Sequence, residues 1–551
     1  MAESLTDLPR RSVWHGWGDP ALARRVPAIA WPFFKALRGL EPSPVDTPPV
    51  ALGDVRLPEP AVGREALGDL AGVVGPEHVS TERLARIEHA GGKGYPDLFR
   101  LRTGDAGRAP DAVVFPGDAG QVAAVVAVCA RHGIAVVPFG GGTSVVGGVD
   151  PERGRFGAVV SVDLRRLNRL LSVDPVSQTA VLQAGMRGPE VERALAPYGL
   201  TLGHVPQSYQ QATVGGFLAT RSAGQASSGY GRFEDTVVAL RLATPTGEAV
   251  LGGRAPQGET AAGPRLIDAV IGSEGLLGIV TEVTVQLQRV RPHVRQESWA
   301  FRDTEAGFEA FRDMAQALGR GVLPDVSRLS DADETLVVLL QAAAGIPAYG
   351  YLRARGWRAP SLAVFQLEDA DPRSLAYRRR RLARLLRAHG AVRMPRSIAA
   401  HWMSHRFRGP YQRDHLMDRG LFVETIETAT TWGSLRDLYG AVQGAVYAAL
   451  GEKTVLQGHI SHLEEGGASL YFTLLARAEE DPIAQWRRLK AAAGDAIMAA
   501  GGTITHHHAV GTDHRPWIRE ELGDMGVRIL RAVKDELDPD GIMNPGKLLP
   551  D

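Results

Sequence analysis

Ile134-Ala135-Val136-Val137-Pro138-Phe139-Gly140-Gly141-Gly142-Thr143-Ser144 is a β-branched run that passes without a break into a glycine turn. Just upstream, Ala112–Phe115 is a short apolar run stopped by Pro116-Gly117. Asp118 stands where it can cap a helix whose apolar positions, Val122, Val125, Val126 and Cys129, recur at helical spacing. That helix is expected to end at His132, with Gly133 taking the left-handed stop. Strand, helix, strand and then a glycine turn is the grammar of a nucleotide-binding α/β or α+β unit.

Outward from this core, strands are expected at Ala158–Val162, Leu170–Val173 and Thr179–Gln183, followed by a helix at Gly188–Leu195. Val237–Ala243 with the turn Thr244-Pro245-Thr246-Gly247 reads as a hairpin, and Ile279–Gln288 alternates like a strand. After about Arg289 the texture changes to long helical patterns such as Ala306–Leu318 and Pro372–His389. A third texture begins near His506. The first hundred residues are Pro-rich and irregular. Within them Ala28–Leu40 could lie on a membrane as an amphipathic segment, but packing of its aromatics on the protein body is the expected use.

Composition narrows the function. The 551 residues suggest two to four domains, and 62 basic against 62 acidic residues leave no net charge. That balance argues against a nucleic-acid partner. The single cysteine, Cys129, excludes an internal disulfide and a Cys-based metal cluster. No apolar run approaches the ~20 residues of a membrane span, and Met1–Arg11 lacks the apolar core of a signal peptide. A cytoplasmic protein is expected.

Three glycine clusters share the inferred nucleotide-binding domain: Pro138–Ser144, Gln207–Ala223 and Gly272–Gly278. Consecutive glycines let backbone N–H groups converge on an anion because no Cβ blocks the approach. The hydroxyls of Thr143, Ser144, Thr213 and Ser222 can add hydrogen bonds to a pyrophosphate. Neither the spaced glycines of a dinucleotide Rossmann turn nor the Gly-Lys-Ser/Thr of a P-loop is present. A second chemical feature is the run His506-His507-His508, since imidazole can take and give protons near neutrality. Were that segment extended, His506 and His508 would face one side and His507 the other.

Pro138-Phe139-Gly140-Gly141-Gly142-Thr143-Ser144, Gly203-His204-Val205-Pro206-Gln207-Ser208, Ala212-Thr213-Val214-Gly215-Gly216 and Gly272-Ser273-Glu274-Gly275-Leu276-Leu277-Gly278 together resemble the FAD-binding domain of the vanillyl-alcohol oxidase superfamily. Within it the chain is similar to the alkyldihydroxyacetonephosphate synthase (alkylglycerone-phosphate synthase) family, from Trp14-His15-Gly16-Trp17-Gly18 to Asn544-Pro545-Gly546-Lys547. The resemblance implies an α+β fold: a two-subdomain FAD-binding domain of vanillyl-alcohol oxidase (PCMH) type and an α+β substrate-binding cap, with a C-terminal segment returning to the flavin domain. The corresponding divisions are an N-terminal arm and helical region at 1–105, the FAD domain at 106–290, the cap at 291–505 and the returning segment at 506–551.

Carried across by motif, the resemblance places FAD contacts on Pro138, Phe139, Gly140, Gly141, Gly142, Thr143 and Ser144. Further contacts fall on Gln207, Ser208, Thr213, Gly215, Gly216, Thr220, Arg221, Ser222 and Ala223, then on Gly272, Ser273, Glu274, Gly275, Gly278 and Ile279. Many superfamily members tether the flavin to a histidine beside the first glycine loop. No histidine lies between Gly133 and His204, so non-covalent FAD is expected. The catalytic set implied is His506, His507 and His508, Tyr471 in Gly467–Phe472, Arg413 in Tyr411–Asp414 as the cation for a departing fatty-acid carboxylate, and Arg328 in Ser327–Asp331. The implied reaction exchanges the acyl group of acyl-dihydroxyacetone phosphate for a fatty alcohol through an adduct at flavin N5, without net redox. Its partners are a lipid-like phosphate, a fatty alcohol, contact with the inner membrane face and a second copy of the chain.

Two rivals follow from the same residues. An FAD-dependent oxidase or dehydrogenase of a 2-hydroxy acid or other alcohol would often use a metal held by a His, a second His seven residues on, and a Glu. Here His459 is followed at that spacing by Gly466, and His507 occupies the Glu position, so no metal ligand set is expected. A non-catalytic lipid- or phosphate-binding protein on a retired flavin fold is the third reading, and the intact histidine run, Tyr471 and Arg413 argue against it.

Overall fold

The computed structural model describes residues 12–550 apart from 29, 255–259, 320 and 343. Expected elements around the opening stretch form as anticipated. Asp118 caps the helix Ala119–His132 by accepting the Gln121 N–H, and Gly133 closes it at φ 60°. The helix Gly188–Leu195 and the hairpin joined at Thr244–Gly247 also form.

Two small sheets build the first half. Strands β1 (Val79–Ser80), β2 (Ala112–Val114), β3 (Ile134–Phe139) and β4 (Ala158–Asp163) pair in the order β1-β2-β4-β3, with β2 and β3 both parallel to β4. Every residue of β4 is buried, as a parallel strand covered on both faces requires. Strands β5 (Leu170–Asp174), β6 (Thr179–Gln183), β8 (Val237–Thr244), β9 (Gly247–Gly252) and β10 (Ile279–Gln286) form an antiparallel sheet ordered β5-β6-β10-β8-β9. A short ribbon joins β7 (Leu200–Thr201) to β11 (Gln288–Arg289). One apolar core, running from Val122 and Val136 through Leu182 and Phe217 to Val283, links both sheets.

The second half departs from its helical texture. It is organised by a seven-stranded sheet of β12 (His293–Phe301), β13 (Val326–Ser330), β14 (Ser361–Asp369), β15 (Val392–Met394), β16 (Leu421–Thr431), β17 (Val455–Leu463) and β18 (Gly467–Arg477). The order is β15-β12-β14-β13-β17-β18-β16, and every pairing is antiparallel. The helices Thr304–Leu318, Leu435–Leu450 and Pro482–Ala499 share a core with one face of this sheet through Phe311, Val442 and Leu489 against Phe365, Phe472 and Ile460. On the opposite face Ala300, Leu362, Val364 and Met394 pack with Leu339, Leu352 and Ile398 of further helices, and Glu427, His459 and Tyr471 form a polar stretch of that face.

The ends of the chain close the molecule. Trp31, Phe33 and Phe34 pack with Leu416, Leu421, Val423 and Leu475, so the Ala28–Leu40 aromatics rest on the body. Met543 bridges to Val136, with Val136 donating to Ile542 O and Asn544 donating to Val136 O. The C-terminal stretch thus extends the first sheet beside the glycine turn. Among the described residues no helix is long and apolar enough to cross a membrane.

Candidate active site

The glycine clusters meet. A Cβ on Gly141 would stand 2.1 Å from the Gln211 carbonyl oxygen, and one on Gly140 would stand 2.3 Å from the Thr213 hydroxyl. Only bare backbone allows the first cluster to lie against the second. A Cβ on Gly275 of the third would stand 2.7 Å from Pro138 Cγ. Thr213 caps the helix Val214–Ala219, where its hydroxyl accepts the Gly216 N–H, and Ser144 Oγ accepts the Gly148 N–H at 2.9 Å. Thr220 donates to Gly216 O, Arg221 pairs with Glu234 at 2.6 Å, and Ser222 Oγ meets His204 Nε2 at 3.0 Å.

A cleft with about 100 Å³ of enclosed space opens on this junction, lined by Phe139, Gly140, Gly141, Gly142, Gln211 and Thr213. Residues outside the expected set also line it: Trp14, His89, Lys93, Arg165 and Arg187. Burial lowers the Lys93 ammonium to about 8, and its Nζ donates to Val13 O. Trp14 belongs to the Trp14–Gly18 stretch that carries the family resemblance, whereas no local pattern marks His89, Lys93, Arg165 or Arg187. The backbone of the glycine turn and the cations Lys93, Arg165 and Arg187 along the cleft suit a phosphate-bearing group.

Other expected contacts have structural partners. Gln207 donates to Arg406 O at 2.7 Å. Glu274 accepts the N–H of Val510 and of Gly511, and burial pushes its carboxyl up to about 7. Glu274 therefore ties the third glycine cluster to the turn that carries the histidines.

Register gathers the catalytic candidates. Tyr471 lies directly between Glu427 on β16 and His459 on β17, so these three side chains form one cross-strand row. Their neighbours Ile426, Phe472 and Ile460 point into the helical core. His462 should share the core face of Ile460 by strict alternation, but the pairing slips between Ile460 and Leu463. Such an irregularity re-aims a side chain, and His462 reaches His506 and His507 with ring centroids 5.0 and 5.2 Å apart.

The His506–His508 segment is not extended. It is a bend folded around the Glu427 carboxylate, which accepts the N–H of His506 at 2.8 Å, His507 at 3.1 Å and His508 at 2.9 Å, and the Thr505 hydroxyl at 2.5 Å. The strand-like split of the three rings therefore fails, because one buried anion recruits consecutive amides that an extended strand would send in alternate directions. All three rings stay together, 5.3 Å between His506 and His507 and 4.8 Å between His507 and His508. Tyr471 contacts His459, His507 and His508 at 5.0, 5.9 and 5.4 Å. Burial raises its phenol to about 12.

Arg413, on the helix Gly409–Asp418, donates from Nη1 to Lys93 O at 2.7 Å. Its Nε and Nη2 are buried without a hydrogen-bond partner among the described residues. Burial lowers the guanidinium, while Asp414, Glu424 and Tyr471 nearby support its charge. Arg328 is already paired, with Glu334 and with His459 Nδ1 at 2.9 Å. Ring nitrogens of His462, His506 and His507 lie within 4.8 Å of one another, but Arg232 sits 3.0 Å from His506 Nε2 and opposes a second cation.

The comparisons with known proteins give the class, an FAD-dependent enzyme. Residues 110–252 match the model for an FAD binding domain, and residues 291–548 that for the C-terminal domain of FAD linked oxidases. The chain is 31% identical to the alkyldihydroxyacetonephosphate synthase of Trypanosoma brucei brucei, over 99% of this chain and 94% of that protein. It is 30% identical to the synthase of Dictyostelium discoideum over the same shares. A solved alkyldihydroxyacetonephosphate synthase superposes with a TM-score of 0.82 at 28% identity, covering 98% of this chain and 99% of the other. The chain belongs to the alkyldihydroxyacetonephosphate synthase family, and FAD is its cofactor.

Proposed function

We propose that the protein exchanges the acyl group of acyl-dihydroxyacetone phosphate for a long-chain alcohol and so forms an ether lipid precursor. The carrying observation is Arg413, a buried guanidinium with two unpartnered nitrogens near the Tyr471 phenol. A desolvated cation with open donors is costly unless an anion arrives. A departing fatty-acid carboxylate matches its fork.

In this reading residues 106–290, with the 506–551 segment packed on them, hold the non-covalent FAD, and residues 291–505 cover the substrate. Bound FAD supplies an electron-poor ring system that accommodates electron density from the substrate carbon. Gly140, Gly141, Gly142 and Thr213 would hold its pyrophosphate by backbone and hydroxyl groups. Tyr471 and the histidine turn hold and move the proton of the substrate carbon. Arg328 keeps His459 against Tyr471. Long apolar substrates would bring a cytoplasmic enzyme to a membrane surface.

The test is incubation of FAD-loaded protein with acyl-dihydroxyacetone phosphate and labelled hexadecanol. Labelled ether product should accumulate while an added electron acceptor stays unreduced, and Tyr471→Phe should abolish product with FAD retained. Acceptor reduction on an alcohol without ether formation would support an oxidase instead.

A further inference from the structure

Away from the cleft and the histidine turn, one buried carboxylate gathers more cations than it can neutralise. Arg295, Glu297 and Trp299 alternate along β12 and so share one face of the sheet. Arg393 of β15 stands directly opposite Trp299 and joins that face. Trp299 packs in the same apolar core as Phe472, so this face is turned away from the Tyr471 row. In the sheet order, β14 and β13 separate β12 from β17. The cluster is therefore no part of the catalytic constellation.

Glu297 is 1% exposed, and both its oxygens are taken. Oε1 accepts from Arg393 Nη2 at 2.9 Å and from Arg379 Nε, and Oε2 accepts the Trp299 indole N–H at 3.1 Å. Arg295 is left with its Nε 3.7 Å from Oε1, buried and without a hydrogen-bond partner among the described residues. Arg396, which opens the helix Arg396–His405, donates from Nε to Gln296 O at 3.3 Å. Burial, then Arg396 and Arg379, lower the Arg295 guanidinium, and Glu297 offsets them only in part. Four guanidiniums thus meet one carboxylate.

Nothing else nearby supplies the missing negative charge. The helix Pro372–Ala388, which carries Arg379, has seven arginines and no acidic residue. One of them, Arg387, lies over the Trp299 ring at 5.6 Å. Among the described residues Glu297 is the carboxylate with which Arg295, Arg379 and Arg393 pair. Freely solvated arginines would spread apart into water, because like charges repel. Here two strands and two helices hold them together over a buried anchor. Their side chains keep 29%, 35% and 38% of their surface exposed for Arg295, Arg379 and Arg393, so a solute can reach them.

We propose that Arg295, Arg379, Arg393 and Arg396 form a binding site for a phosphate-type dianion above Glu297. Phosphate fits because its oxygens accept from several guanidinium forks at once, which a monatomic anion cannot do. A soluble phosphorylated compound and a phosphomonoester lipid headgroup present this same group.

The experiment titrates full-length, FAD-loaded protein calorimetrically with inorganic phosphate, against sodium chloride at equal ionic strength. Wild type should bind phosphate at a site that Arg295→Gln/Arg393→Gln binds at least about tenfold more weakly, since two charge-assisted donors are lost. Flavin content and thermal midpoint in chloride should be the same in both proteins. Pelleting with phosphatidylcholine vesicles, with and without phosphatidic acid, distinguishes the sources. Retention on phosphatidic acid vesicles that the variant loses assigns a lipid headgroup. Phosphate binding without vesicle retention assigns a soluble phosphorylated ligand. Equal phosphate affinity in wild type and variant, or no binding beyond that of chloride, overturns the site. Should the double variant shed its flavin, Arg396→Gln gives the same comparison, because it gives up only a bond to a backbone carbonyl. Weaker phosphate binding by Arg396→Gln supports the site, and unchanged binding overturns it.

Discussion

Arg413→Met should make the protein more stable and catalytically dead. Nε and Nη2 of the guanidinium are buried and unpartnered among the described residues, and Nη1 is bonded to Lys93 O. Each buried polar group left unsatisfied costs about 1–3 kcal/mol. Removing two such groups relieves on the order of 2–6 kcal/mol, while freeing the Lys93 carbonyl returns about 1–3 kcal/mol of penalty. Lys93 also loses a like charge that lowers its own ammonium. Methionine nearly fills the space, so a cavity term stays small. The net expectation is a gain of about 1–3 kcal/mol, seen as a thermal midpoint raised by a few degrees at fixed scan rate. FAD absorbance per protein should be unchanged and ether formation lost. A Met variant less stable than the wild type, with FAD retained, would show that Arg413 is a satisfied structural cation, and the proposed role in holding a carboxylate would fall with it.

Acid should loosen the fold through two deeply buried imidazoles. Burial, with Arg232 near one and Lys490 near the other, depresses His204 and His514 to about 3 from 6.5. The unfolded chain thus binds protons first, so this stability is intact above pH 6.5 and declines as pH falls towards 3. At pH 5 each histidine should have forfeited about 2 kcal/mol, on the order of 4 kcal/mol together, and a urea midpoint identical at pH 7 and 5 would refute it. Gly141→Ala puts a methyl 2.1 Å from Gln211 O, so flavin co-eluting on gel filtration should fall sharply. Gly68→Ala, in an open helical position, should retain flavin and gain up to about 1 kcal/mol. Ala509 holds φ 74° directly after the histidine turn. Ala509→Gly should relieve about 1 kcal/mol of backbone strain while keeping turnover, measurable as a higher thermal midpoint at wild-type rate.

Local signals carried the flavin half. Asp118, the spaced valines and Gly133 each act within a few residues, and the structure forms the helix Ala119–His132 between them. The second half hid its sheet because β16, β17 and β18 are mostly buried along their length. Buried strands lack clean alternation, so the amphipathic helices around them dominated the pattern. The site divides likewise. Tyr471, Arg413 and the histidine run stand out beside family motifs, whereas Glu427 sits unmarked within Glu424–Thr428. Its importance comes from donors about 80 residues away in the chain.

By itself the sequence determined where backbone could approach an anion and which side chains could carry protons, since glycine and imidazole bring those capacities wherever they stand. Folding alone decided that Glu427, Tyr471 and His459 would be neighbours, because strand register sets cross-strand partners. It also decided that three successive amides would bend around one carboxylate. A buried charge seeks whatever donors the assembled molecule supplies, and no local pattern announces which ones those are.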